Sequence, residues 1–338
     1  MKSQSHRWCV ARNLNWCAVV ACFVGSTAVS VSARAELLLL DPSSDLIGAI
    51  ATTRADAEDT LTDIARRSGL GYEDMRRANP GVDPWLPGTE TDIVLPTHYV
   101  LPSMVRKGVV VNIAEYRLYY FTQAEGREVV ATFPVSIGRM DWETPIGQHR
   151  ITAKQVRPVW YPPDSVRAEH AAEGDILPRA IPPGPANPLG DYAIRLSHSS
   201  YLIHGTNKPV GIGMQVTHGC IRMYPEDIEW LFPQLAADAT VEIVNEPLKF
   251  GWDGADLYFE AHPRLDGDGE QDAAGLTGVT SLYVRATTDR PAVVDWAVME
   301  EVYRARLGIP VRVGRALAPA RVSPAIALMQ DESKYPLR

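Results

Sequence analysis

The stretch YLIHGTNKPVGIGMQVTHGCIRM (residues 201–223) brings one thiol and two imidazoles together in a glycine-rich segment. Cys220 is a strong nucleophile once a base has taken its proton, and a nearby imidazole can serve as that base. His218 lies two positions before Cys220, so in extended backbone the two side chains point to the same face. His204 ends a strand-like run, YLIHG, and must approach through the fold. Spacing favours His218 and leaves His204 open. Gly219 permits close backbone approach, and the amides of Gly219 and Cys220 can aim at a developing oxyanion. Two blander readings compete. One is a buried, inert cysteine among core histidines. The other is a zinc site of His204, His218 and Cys220, for which the segment lacks both a supporting carboxylate and an HxxxH helix. GTNKPVGIG has neither Walker nor Rossmann spacing, so phosphate binding is set aside.

The elements around this stretch must position it. From residue 109 onward VVVNI, RLYYF, EVVATFPVSIG, HRITAKQV, DYAIRL and YLIHG read as short strands rich in β-branched and aromatic residues. The proline-rich run RPVWYPPDSVRAEHAAEGDILPRAIPPGPANPLG (residues 157–190) reads as a long loop that walls the site. After the cysteine, PEDIEWLFPQL is a helix with Pro225 in its first turn, Glu226 and Asp227 at its positive end, and Ile228, Leu231 and Phe232 as its apolar stripe. ATVEIVN is a further strand.

Upstream, residues 46–97 form a small unit. Leu61, Ile64 and Ala65 stand at helical spacing with Asp59 as N-cap, and Met75 and Ala78 face inward on a second short helix. GAIATT and TDIVLP are its strands, and THYVLPSMVRKG reads as a linker. Downstream, DLYFEAHPRL and IPVRVGR read as strands and AVVDWAVMEEVYRARLG as a helix, in an extension of residues 250–315 with no assigned role. The acidic DGDGEQD lacks calcium-loop spacing and reads as a solvated turn. Residues 316–338 read as a flexible tail.

The bulk properties narrow the class. With 338 residues there is room for more than one domain, and a net charge of -8 argues against a nucleic-acid partner. Residues 1–35 carry Lys2, Arg7 and Arg12, then a small apolar run, then Ala33-Arg34-Ala35, which is the pattern of a secretory signal peptide. A lipoprotein box ending at Cys22 is a minor alternative. Cys9, Cys17 and Cys22 all fall in this segment, so the mature chain keeps Cys220 alone and forms no internal disulfide.

IHGTNKPVGIGMQVTHGCIRM resembles the signature of the YkuD-type L,D-transpeptidases, and IGRMDWETPIGQHRI and VWYPP resemble that family's upstream segments. The unit carried by DTLTDIARRSGL, RANP and IVLP resembles a LysM glycan-binding domain. Together these likenesses run from about residue 46 to 250, closest to the periplasmic group that attaches murein lipoprotein or forms 3-3 cross-links. The resemblance implies a mainly β catalytic domain over residues 107–249, a β-sandwich with one helix after the cysteine, preceded by a βααβ LysM domain over 46–97. It implies Cys220 as nucleophile and His204, not His218, as base. Thr217 would orient that histidine, with His218, Gly219 and Gly205 supporting. Arg222, Tyr201 and Trp160 would meet substrate. The implied partners are peptidoglycan stem peptides and glycan strands, with murein lipoprotein as an acceptor, in the periplasm and with no metal or organic cofactor. The rivals are an L,D-carboxypeptidase that releases the same thioester to water, and a non-catalytic cell-wall binding protein.

Overall fold

The computed structural model describes residues 36–103, 106–139, 142–198, 201–265 and 275–317. The signal segment, the acidic turn of residues 266–272 and all of the tail beyond residue 317 lie outside the described residues. No helix among the described residues is long and apolar enough to cross a membrane.

The chain opens with β1 (Leu38–Leu39), which joins the central sheet. The small unit then runs β2 (Leu46–Gly48), β3 (Ala51–Arg54), α1 (Leu61–Arg67), α2 (Tyr72–Ala78), β4 (Asp92–Leu95) and β5 (His98–Val100). β3 pairs antiparallel with β4, and β2 with β5, so the predicted linker contributes a strand at residues 98–100. The N-cap of α1 is Thr60, not Asp59. The Thr60 hydroxyl accepts from the Asp63 amide at 3.2 Å, and Asp63 accepts back from the Thr60 amide at 3.0 Å. Asp59 is instead drawn away by Arg67, 2.6 Å from its guanidinium. Leu61, Ile64, Ala65 and Met75 are buried beneath the two strand pairs.

The central unit comprises β6 (Gly108–Asn112), β7 (Arg117–Ala124), β8 (Arg127–Gly138), β9 (Gly147–Val156), α3 (Asp164–Ala172), β10 (Tyr192–Leu196), β11 (Leu202–His204), β12 (Gln215–Thr217), β13 (Ile221–Met223), α4 (Pro225–Gln234) and β14 (Thr240–Val244). It is mainly β. Its strands lie in the order β1-β8-β13-β11-β10-β9-β14-β6-β7, and β7 pairs again with β8. The long β8 makes this closure possible, since residues 127–134 pair with β7 and Val135 and Ser136 pair with β13. Inside lie Leu118, Phe133, Ile194, Ile203, Ile221 and Met223, with Ile228 and Leu231 of α4 packed on them. The predicted loop of residues 157–190 contains a helix, α3, which proline-rich flanks had obscured.

The last unit is a four-stranded sheet in the order β15 (Leu248–Asp253), β16 (Asp256–Ala261), β18 (Val311–Ala316), β17 (Ala292–Val294), with α5 (Gly275–Thr287) and α6 (Trp296–Ala305) packed on it. Residues 292–294 are a strand where the sequence suggested helix. Asp295 stops that strand and caps α6 by accepting from the amides of Ala297 and Val298.

Buried charge joins the three units. Arg117, almost fully buried, meets Asp74 of α2 at 2.6 Å and lies 4.2 Å from the centre of the Tyr99 ring. The Lys249 ammonium lies 2.7 Å from Glu115 and 3.0 Å from Glu260, and donates to the Val100 carbonyl. Each carboxylate therefore has a buried cation beside it.

Candidate active site

Strand register builds the site. β11 runs parallel to β13 with Ile203 beside Ile221 and His204 beside Arg222, while β10 lies on the other side with Ala193 beside His204 and Arg195 beside Leu202. Side chains alternate across a sheet, so Ile194, Ile203 and Ile221 enter the core together. Ala193, His204, Arg222 and Ser136 make one row on the opposite face. Arg195, Leu202 and, by one further alternation, Cys220 make the next row on that face. An imidazole, a thiol and two guanidiniums are thereby collected on a single surface backed by packed isoleucines.

His204 is buried. Its Nδ1 lies 2.6 Å from the Gly205 carbonyl, and the Leu189 backbone is a second hydrogen-bonding neighbour. Burial, and then the charge of Arg222, push its pKa down to about 3, so the ring is neutral. A proton on Nδ1 leaves the lone pair on Nε2, the form of a base. Gly205 sits close to its neighbours, since a Cβ would stand 3.3 Å from Ile228 and from the Leu189 carbonyl and they would have to give by a few tenths of an ångström. Burial pushes the Cys220 thiol above its ordinary value, against the Leu202 amide and the charges of Arg222 and Arg195, which draw it down. Arg222 is half-buried, and its Nε has no hydrogen-bond partner among the described residues.

The turn that carries the thiol is held from several sides. The Thr217 hydroxyl donates to the Cys220 carbonyl at 2.6 Å. It therefore braces the turn that carries Cys220, while the backbone of Gly205 and Leu189 holds the His204 ring. Gly219 sits at φ +92°, and a Cβ there would meet the Tyr201 ring at 2.5 Å. The Gly219 carbonyl accepts from Thr144 Oγ1 at 3.0 Å, while Thr144 Oγ1 accepts from the Gly138 amide at 2.9 Å. His218 turns away to Glu169, with its Nε2 2.7 Å from the carboxylate. Trp160 pairs through its backbone with Ile181, at 2.9 and 2.8 Å, and so ties the two arms of the 157–190 connection.

Sequence reasoning passed over Thr144, Arg195, Arg139 and Glu169. Thr144 had a signal in IGRMDWETPIGQHRI, one of the segments noted for its resemblance; Glu169 had none beyond lying in a long loop. Among the described residues one cluster has metal-ligand types, Glu115, Glu260 and His262, and it lies outside this site. Lys249 stands between its two carboxylates and supplies the positive charge there.

Residues 106–243 match the YkuD family, the L,D-transpeptidase catalytic domain. The chain is 39% identical over 280 residues to the protein named "Probable L,D-transpeptidase ErfK/SrfK" of Salmonella typhimurium, covering 80% of this chain and 88% of that one. It is 36% identical over 301 residues to "Probable L,D-transpeptidase YcfS" of Escherichia coli, covering 87% and 93%. To "Probable L,D-transpeptidase YbiS" of Escherichia coli it is 37% identical over 249 residues, covering 72% and 80%. The chain belongs to the L,D-transpeptidase family. It is an enzyme of that type.

Proposed function

We propose that Cys220 carries a peptidoglycan tetrapeptide stem as a thioester, with His204 as the general base. The observation that supports this most is the parallel register of β11 and β13, which sets a neutral, buried imidazole on the same sheet face as the thiol. His204 Nε2 takes the thiol proton as Sγ bonds to the carbonyl carbon at the L-centre of diaminopimelate. The oxyanion is met by amides near Gly219 and Cys220. The bond to D-alanine then breaks, and His204 returns the proton to the leaving amine. An acceptor amine attacks the thioester in turn, gives its proton to His204 and restores the thiol. That amine belongs to a second diaminopimelate side chain, giving a 3-3 cross-link, or to a lipoprotein lysine. No step draws on a metal or an organic cofactor.

Arg222 and Arg195 make this face positive in a chain of net charge -8, which suits a carboxylate-rich stem. Arg222 Nε offers a buried donor for one such carboxylate. The Tyr201 ring packs against the Gly219 turn, and Trp160 closes the outer wall. The 46–97 unit serves as a LysM domain, in which Trp85, half exposed and stacked at 6.1 Å on Tyr72, offers a face for a sugar ring. Export by residues 1–35 places the enzyme in the periplasm, beside its polymer.

Incubation with a disaccharide tetrapeptide and an amine acceptor tests the reading by product mass. The expected products are free D-alanine and the acceptor-linked stem. D-alanine with only hydrolysed stem would make the protein a carboxypeptidase, and a Cys220 that takes up no stem would make it a non-catalytic wall protein.

A further inference from the structure

We infer that Glu169 is a positioning residue that clasps α3 onto the nucleophile's turn and thereby sets whether an amine or water takes the acyl group. The inference rests on Cys220 being the acylated residue. Three segments meet on this one carboxylate. One oxygen is 2.7 Å from His218 Nε2, two residues before Cys220, and the other is bonded by Arg139 Nη2. Arg139 is itself fixed to the same turn, since its amide donates to the Thr217 carbonyl at 2.9 Å. The Trp142 ring closes the far side of His218, edge-on with centroids 5.2 Å apart.

The clasp matters because little else holds α3. Val166 is its one buried side chain, and the rest of the helix is half or fully exposed. Apolar burial on that scale anchors a helix weakly, so the polar contact decides where it sits. The same connection reaches the base at its other end, where the Leu189 backbone bonds His204. One segment therefore touches both the turn that carries Cys220, through His218, and the His204 ring. Arg139 first, and His218 second, hold the Glu169 carboxyl down at about 2, so the clasp is charged throughout the working range. With α3 clasped, bulk water is kept from the thioester while an acceptor amine enters along the sheet face.

The test uses the full chain with a tetrapeptide donor and a fixed amine concentration. It reads the rate of Cys220 acylation by intact mass and the ratio of transfer to hydrolysis by product mass. Glu169→Gln should lower that ratio about tenfold while changing acylation less than about threefold, because a charge-assisted hydrogen bond is lost without a change of shape. Glu169→Asp should recover part of the ratio. The double substitution Glu169→Gln with His218→Gln should fall no further than the more severe single one, since both break one contact. A ratio unchanged in Glu169→Gln, or fully additive losses, would overturn the inference. Absence of any adduct on Cys220 in the unsubstituted chain would instead overturn the reading on which it rests.

Discussion

His204 stands in register with Arg222 on strands that run parallel, and this pairing brings the imidazole to the face of the sheet that carries Cys220. A parallel neighbour needs a crossover, and here the crossover is the glycine-rich run of residues 205–220. The two histidines of the motif end up in different surroundings because of it. His204 is in the sheet, buried and neutral, while His218 is in the turn and tied to Glu169.

Burial favours the neutral forms of both the Cys220 thiol and the His204 imidazole. Cys220 is raised by burial and His204 is lowered to about 3 by burial and Arg222, so no preformed thiolate–imidazolium pair is expected. Ultraviolet difference spectra against Cys220→Ser should show no thiolate absorbance near neutral pH, and acylation should rise with pH across the alkaline range. A thiolate band already present at about pH 6 would contradict this.

The buried His204 also predicts acid sensitivity. Its pKa falls from 6.5 in the unfolded chain to about 3 in the fold. Between those values the unfolded chain holds the extra proton, so stability is lost as pH drops through the window. His204→Gln should flatten the melting temperature over that window. An unchanged slope would count against the neutral, buried assignment.

Asp227 predicts the opposite sign. Burial first, and Glu226 second, raise its pKa to about 8, and its Oδ2 has no hydrogen-bond partner among the described residues. The folded chain then holds the extra proton between 3.8 and about 8, so this group removes stability as pH rises through that range. Asp227→Asn should stabilise the protein at the alkaline end by on the order of 1 kcal/mol and much less in mild acid. Equal effects at both ends, read by chemical denaturation, would refute the shift.

Lys249 keeps Glu115 and Glu260 from being uncompensated charges in the interior. Lys249→Met should cost about 3–5 kcal/mol, since removing one partner strands the others. A loss below about 1 kcal/mol in denaturant titration would mean that the carboxylates find other relief.

The sequence made the chemistry legible sooner than the geometry. A thiol and imidazoles in one glycine-rich run restrict the reaction class, because few side chains do covalent acyl transfer. Which imidazole serves depends on strand direction, and spacing alone pointed to His218; the resemblance, not periodicity, pointed to His204. Glu169 was out of reach, because a carboxylate on a half-exposed helix has no local mark of its distant partner. Thr60 against Asp59 was a contest of two good cap formers, decided by the return bond from Asp63. Helix α5 was passed over for a related reason: GLTGVTSLYVRAT is rich in glycine, threonine and β-branched residues, and packing of Val279 and Tyr283 overrides that propensity. The central strands were readable as runs of β-branched and aromatic residues, and β6, β7 and β8 bury both of their faces, Val109, Leu118 and Phe133 on one side and Val110, Tyr119 and Val130 on the other.

The most direct measurement is the rate of Cys220 acylation by a tetrapeptide stem, followed by intact mass, in His204→Ala and in His218→Ala. Loss of the base should slow acylation by about 10²–10⁴-fold in His204→Ala, while His218→Ala should stay within about tenfold of the unsubstituted enzyme. Equal losses, or a greater loss in His218→Ala, would contradict the assignment of His204 as the base.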